Sequence, residues 1–160
     1  KAATSGVVTA VVEPALTTAH AAASYLLAVQ SDTARITPKK LQKLLYYGQG
    51  FSLGQLGRRL FPEPIQAWPK GPVVPEIYQE IKDRVRSVIA RPDDFDVFSL
   101  PPRARLSLER VLARYGDRTA DELEAQTHNE PPWQNTAQGR EITVPVMTDY
   151  FRTTLASAGG

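Results

Sequence analysis

One run of the chain, ITPKKLQKLLYYGQGFSLGQLGRRLFPEPIQAWPKGPVVPEIY from Ile36 to Tyr78, limits the possible folds more than any other. Its first half predicts a helix. Thr37 can cap with its hydroxyl, and Pro38 stands where a first-turn proline lacks only an N–H that would have no partner anyway. Leu41, Leu44, Leu45, Gly48 and Phe51 then recur at helical spacing, and Tyr46, Tyr47 and Leu53 widen the stripe until little polar face is left. A helix apolar nearly all round must be central, with other elements packed about it. Gly54 and Gly57 supply its stop. Pro62, Pro64 and Pro69 then forbid helix and allow at most a short edge strand around Ile65–Trp68. Lys70-Gly71-Pro72 forms a turn, and Pro75 can open the next helix.

The flanking sequence supplies further helices. Leu16, Ala19, Ala23, Leu26 and Leu27 predict an amphipathic helix from about Pro14 to Gln30. Val74, Ile77, Tyr78, Ile81, Val85, Val88 and Ile89 give the third stripe, and Leu108, Val111, Leu112 and Tyr115 a fourth, stopped at Gly116. Thr119-Ala120-Asp121-Glu122 is a capping box that starts a short helix ending near His128. Pro131-Pro132 is expected to enforce an extended turn presenting Trp133. A last helix from about Pro145 sets Val146, Met147, Tyr150, Phe151 and Leu155 on one side. The expectation is an all-α, single compact domain of about six helices, with one short two-stranded β pair near Ile65 and Ile142. Residues 1–14 are read as an N-terminal extension, 15–156 as the domain and 157–160 as a frayed tail.

Composition narrows the function classes. With 160 residues, 42% hydrophobic and 22% charged, the chain is ordinary globular material. A net charge of +2 is too small to argue for nucleic acid. The apolar run Gly6–Val12 is broken by Glu13-Pro14, against a signal peptide, and too few strong hydrophobes remain for a membrane span. Cysteine is absent, which leans toward the cytoplasm.

Little in the chain resembles catalytic machinery. His20, His128 and Glu130 could seed an acid–base or metal site, but they lack metal-ligand spacing. His128 is expected to be structural, its ring bonded to backbone near the Pro-Pro turn. Asp93-Asp94-Phe95-Asp96 lacks the alternation and the glycine of a calcium loop. No catalytic residue, metal or cofactor is expected. Binding residues are easier to nominate. Arg35, Lys39, Lys40 and Lys43 crowd the start of the central helix, opposite Leu41, Leu44 and Leu45, where the helix dipole disfavours cations. On that reading the lysines are exposed and steer an acidic surface of a partner, whereas Gln42→Ala should be nearly silent. Tyr46, Tyr47, Tyr78, Trp68 and Trp133 are the residue types enriched at binding hot spots. Trp68 is expected in the core; for Trp133, core and interface both stay open. A helix-turn-helix would need a second helix soon after the first, and the proline-rich segment cannot supply it, so a DNA-binding transcriptional regulator is the runner-up.

KLQKLLYYGQG, LF, AWPKGPVVPEIY and THNEPPW, in this order and spacing, resemble the Panacea antitoxin domain family, also called SocA-like and found in phage-associated proteins. The resemblance covers roughly residues 19 to 155. It implies a mostly helical, non-enzymatic bacterial antitoxin of a type II toxin–antitoxin system, neutralising a co-encoded protein toxin by direct contact. An adaptor that delivers a toxin to a protease is the alternative. Candidate toxin-binding residues are then Lys39, Lys40, Lys43, Tyr46, Tyr47, Trp68, Lys70, Gly71, Pro72, Tyr78, His128 and Trp133.

Overall fold

The central helix, α2 (Pro38–Leu56), forms as its sequence dictates in this computed structural model, which describes residues 13–84 and 90–159. The Thr37 side chain accepts from the Lys40 N–H, Pro38 lies in the first turn, and Gly57 ends the helix. Every residue from Lys40 to Leu53 is buried. Each leucine fully withdrawn from water here contributes roughly 1.5–3 kcal/mol. The expected extension over residues 1–12 and the third helix's continuation through Val85, Val88 and Ile89 lie outside the described residues.

Around α2 pack α1 (Ala19–Val29), α3 (Pro75–Ile81, followed by a 3-10 turn, Lys82–Arg84), α4 (Pro102–Tyr115), α5 (Ala120–His128) and α7 (Val144–Gly159). The α7 contact is the most extensive. It depends on Gly50: a Cβ there would lie 2.3 Å from the Phe151 ring, so only a glycine lets that ring sit against the helix backbone. The last turn of α7 overlaps the segment expected to fray. Together with a two-stranded sheet these helices make one all-α domain.

Three local expectations are corrected. First, α1 begins at Ala19, capped by the Thr18 hydroxyl, and not near Pro14. The preceding residues instead run beside the loop after α2, where Leu16 N–H donates to Arg59 O at 3.0 Å and Thr17 N–H to Leu60 O at 2.8 Å. Second, Pro131-Pro132 does not make an extended turn. The prolines occupy the first positions of a short helix, α6 (Pro131–Gln134), where missing N–H groups cost nothing. Third, the β pair is a local hairpin. β1 (Gln66–Trp68) pairs antiparallel with β2 (Gly71–Val73), Gln66 opposite Val73 and Trp68 opposite Gly71. Gly71 makes the tight reversal with φ 114°, a conformation side-chain-bearing residues resist. The Ile142 segment lies on the outer edge of β1, through an isolated Gln66–Glu141 bridge and the Ile142 N–H on Ile65 O. The capping box of α5 is present, with Thr119 and Glu122 each bonded to the other's N–H.

Candidate functional site

Among the described residues the hairpin has no third strand along β2. Side chains from α2 do that work. Gln42 accepts from the Val74 N–H at 2.8 Å and donates to the Val74 carbonyl at 3.3 Å, completing the pairing a neighbouring strand would give. One heptad on, Gln49 treats the loop after α2 the same way. Its carbonyl accepts from the N–H groups of Leu60 and Phe61, and its amide donates to Phe61 O. Gln42 is therefore not a surface residue, contrary to the expectation behind a silent alanine substitution, and its replacement is expected to cost stability. Sequence reading missed both glutamines. The available signal was two glutamines seven residues apart on an otherwise apolar helix, followed by proline-broken segments short of backbone partners.

The lysine cluster is corrected as well. Lys40 and Lys43 are 4% and 1% exposed, because α5, the end of α4 and the hairpin cover the side of α2 expected to face water. Lys40 Nζ donates to Gly116 O at 2.6 Å, where the C-terminal end of α4 favours a cation. Burial holds its pKa below the usual lysine value. Lys43 Nζ reaches under the hairpin to Pro72 O at 3.1 Å, and burial lowers its pKa to about 7. Lys39 is half-buried and bonds Asp121, at 2.6 Å, and Glu124 of α5. Burial opposes its charge, but these two carboxylates outweigh it and raise the pKa. The basic first turn is thus consumed in holding α4, α5 and the hairpin to α2.

Tyr46 and Tyr47 are 0% exposed and not available to a partner. Their hydroxyls donate to the two oxygens of Glu130, at 3.0 and 2.9 Å, and Gln126 donates to the Tyr47 hydroxyl at 2.8 Å. Burial raises the pKa of Glu130, while the tyrosine hydrogen bonds pull it back toward ionisation. The tyrosine pKa values rise for the same reason, burial first and the adjacent carboxylate second. This clasp fixes the start of α6 to the middle of α2. It gives Glu130, 7% exposed, a structural partner set.

The remaining candidates form one run at the hairpin. Trp133 Nε1 donates to Trp68 O at 2.8 Å, joining segments 65 positions apart. Trp68 Nε1 donates to Gln66 Oε1, and the Trp68 ring meets Tyr78 edge-on at 5.0 Å. The His128 ring stacks on Trp133 at 4.1 Å, and its Nε2 is buried without a hydrogen-bond partner, contrary to the expected bond to backbone. Tyr78 is 38% exposed, Lys70 is exposed, and Trp68, Trp133 and His128 are half-buried. Gly71 and Pro72 are buried beneath, with a Cβ on Gly71 placed 2.6 Å from Lys43 Cε. Trp68, expected in the core, is instead half-buried on this partly open face, its ring edge-on to the exposed Tyr78.

Among the described residues no group of three or more His, Asp or Glu side chains is placed to hold a metal, and no helix is long and apolar enough to cross a membrane. After α2 comes the hairpin, so the second helix of a DNA-reading pair does not follow.

Buried polar side chains thus hold a tryptophan-bearing hairpin against the central helix. The model of the family described as antitoxin SocA-like, Panacea domain, matches residues 41–134, and the chain belongs to that family. It is also similar to antitoxin SocA of Caulobacter vibrioides (strain NA1000 / CB15N), with 34% identity over 131 residues, 70% of each chain. No solved structure matches.

Proposed function

We propose that this chain is the antitoxin of a type II toxin–antitoxin pair and neutralises a co-encoded protein toxin in the cytoplasm by direct, stoichiometric contact. The observation that carries the reading is the family match over 41–134, a span containing the whole aromatic run from Trp68 to Trp133. Tyr78, Lys70 and the open parts of Trp68, Trp133 and His128 are the binding face. Its backbone is fixed in advance by the hairpin, by α6 and by the indole N–H on Trp68 O, and a rigid aromatic surface loses little entropy on docking. Lys39, Lys40, Lys43, Tyr46, Tyr47, Gly71 and Pro72 support that face from below.

The test is co-expression with the product of the adjacent reading frame, read as growth rescue, together with calorimetry on the purified pair. A saturable complex, weakened at least about tenfold by Tyr78→Ala with Lys70→Ala at unchanged melting temperature, is expected. Rescue that needs a cellular protease, with toxin levels falling, would instead mark delivery to that protease. Failure of the two purified proteins to associate would overturn direct neutralisation.

A further inference from the structure

Between α1 and α3 lies a cavity of about 360 Å³, at the small end of the range that holds organic ligands. Its apolar lining comes from three helices: Ala23 and Leu27 of α1, Leu41 of α2, and Ile77 and Ile81 of α3. Along α1 it runs from His20 to Leu27, two turns or roughly 10 Å of helix. Residues 90–93 also line it and are anchored in place. Arg91 Nη2 donates to Gln30 O, at the end of α1, at 2.6 Å and to Asp32 Oδ1 at 2.8 Å. His20 Nδ1 and Glu80 Oε1, 2.9 Å apart, strap α1 to α3. The cavity is thus walled by packed helices and a pinned loop. Two polar side chains on its lining are unspent: among the described residues, neither Ser24 nor Asp93 has a hydrogen-bond or ion-pair partner.

Those spare groups decide the chemistry of the occupant. The one cation fixed on the lining, Arg91, is already matched by Asp32, and Glu80 is engaged by His20. The lining charge left without a counter-charge is therefore the Asp93 carboxylate. An anion would meet Asp93 and Glu80 together and be repelled. A wholly apolar molecule would cover Ser24 and Asp93 without offering either a hydrogen bond. A cation with an aliphatic body satisfies both and covers the leucine and isoleucine wall besides. The main chains of the two long walls are bonded within α1 and α3, so an extended peptide finds no backbone edge to pair with along them. We propose that this cavity is a binding site for a small aliphatic amine or guanidine. Its charged head is held by Asp93, with the Ser24 hydroxyl as a second acceptor, and its chain lies along Ala23, Leu27, Ile77 and Ile81. The site shares no residue with the proposed toxin-binding face and does not depend on it.

Amide NMR of the full chain, titrated with n-hexylammonium, tests it. Saturable shifts at Ser24, Leu27, Ile81 and Asp93 are expected, with a dissociation constant of about 1 mM or below. Hexanol, the same chain without the charge, should bind at least about fivefold more weakly, and hexanoate should not bind. Asp93→Asn should weaken the amine at least about fivefold and leave hexanol unaffected. Its melt should be unchanged, because Asp93 is exposed and bonded to nothing in its own fold. Ser24→Leu puts an apolar side chain into the cavity and should abolish binding of both. The proposal is overturned by the absence of saturable shifts, by hexanoate binding as well as the amine, or by undiminished amine binding in Asp93→Asn. It is equally overturned if a capped lysine tripeptide binds where hexylammonium does not, which would assign the cavity to a basic side chain of a protein.

Discussion

Lys43 should make this protein more stable as pH rises above neutrality. Its ammonium is sealed between α2, α5 and the hairpin, where among the described residues the Pro72 carbonyl is its one direct acceptor and Gly71 closes over its Cε. Of the charged groups nearby, Glu124 favours the cation and Lys39 disfavours it, and burial outweighs both, leaving a folded pKa of about 7 against the ordinary lysine value of 10.5. The unfolded chain therefore keeps the proton between these values while the folded chain releases it. Wherever the unfolded state holds more protons, stability rises with pH. The favourable contribution is complete above the unfolded value and disappears as pH falls toward the folded one. Integrated from about pH 7 to about pH 9, one such group adds about 2 kcal/mol. Higher up, the buried tyrosines, which resist ionising in the folded state, reverse the trend. Urea unfolding at steps across that range measures the slope. Lys43→Met should remove most of it, leaving the residual share of Lys40, whose pKa is lowered for the same reason. A flat profile in the wild type, or a slope that persists in Lys43→Met, would refute the reasoning.

Two further substitutions test the scaffold. Gln42→Ala strips both partners from the Val74 backbone and should cost about 2–4 kcal/mol in urea unfolding, whereas Gln79→Ala, at an exposed position of α3, should be nearly neutral; equal costs would show that the hairpin does not need its glutamine. Gly50→Ala improves helix propensity, yet it forces a methyl onto the Phe151 ring and should destabilise by about 1–3 kcal/mol, so a raised melting temperature would mean that α7 can shift at little cost.

The helices were legible because their signals are local. The Thr37–Pro38 start, the Thr119–Glu122 capping box and the stripe through Leu41, Leu44 and Leu45 depend only on residues within a turn or two. The polar residues were misread for the complementary reason. On an isolated α2, Lys39, Lys40 and Lys43 fall on the side away from the leucines, and a cation at a helix start looks like surface. Their roles depend on which carbonyls and carboxylates the fold brings over them: Gly116 from 76 positions away, Pro72 from 29 and Asp121 from 82. The hairpin was half visible. Prolines located the strand at Ile65–Trp68, but its partner was sought at Ile142, which does lie alongside on the other edge.

The two tryptophans show why the choice between core and interface was too narrow. Both indole N–H groups are spent inside the molecule, one on Gln66 and one on the Trp68 carbonyl. A partner can therefore gain no hydrogen bond from either indole and meets only ring faces and edges. Those edges are held by interactions buried directly below: Lys43 under the turn, Gln42 along β2, and Glu130 on Tyr46 and Tyr47 behind α6. Burying a lysine and a glutamate costs stability that leucines would not. What this arrangement contributes in return is position, since a hydrogen-bonded pair fixes distance and direction where an apolar contact fixes neither. Loosening the clasp should then harm binding before it harms folding. Glu130→Gln keeps shape and a polar end but can no longer accept both hydroxyls on equivalent charged oxygens. Such a variant is expected to remain folded and to show a broadened, red-shifted Trp133 emission and a faster dissociation from the toxin partner proposed above. Unchanged emission and dissociation would place the clasp wholly in the service of the fold.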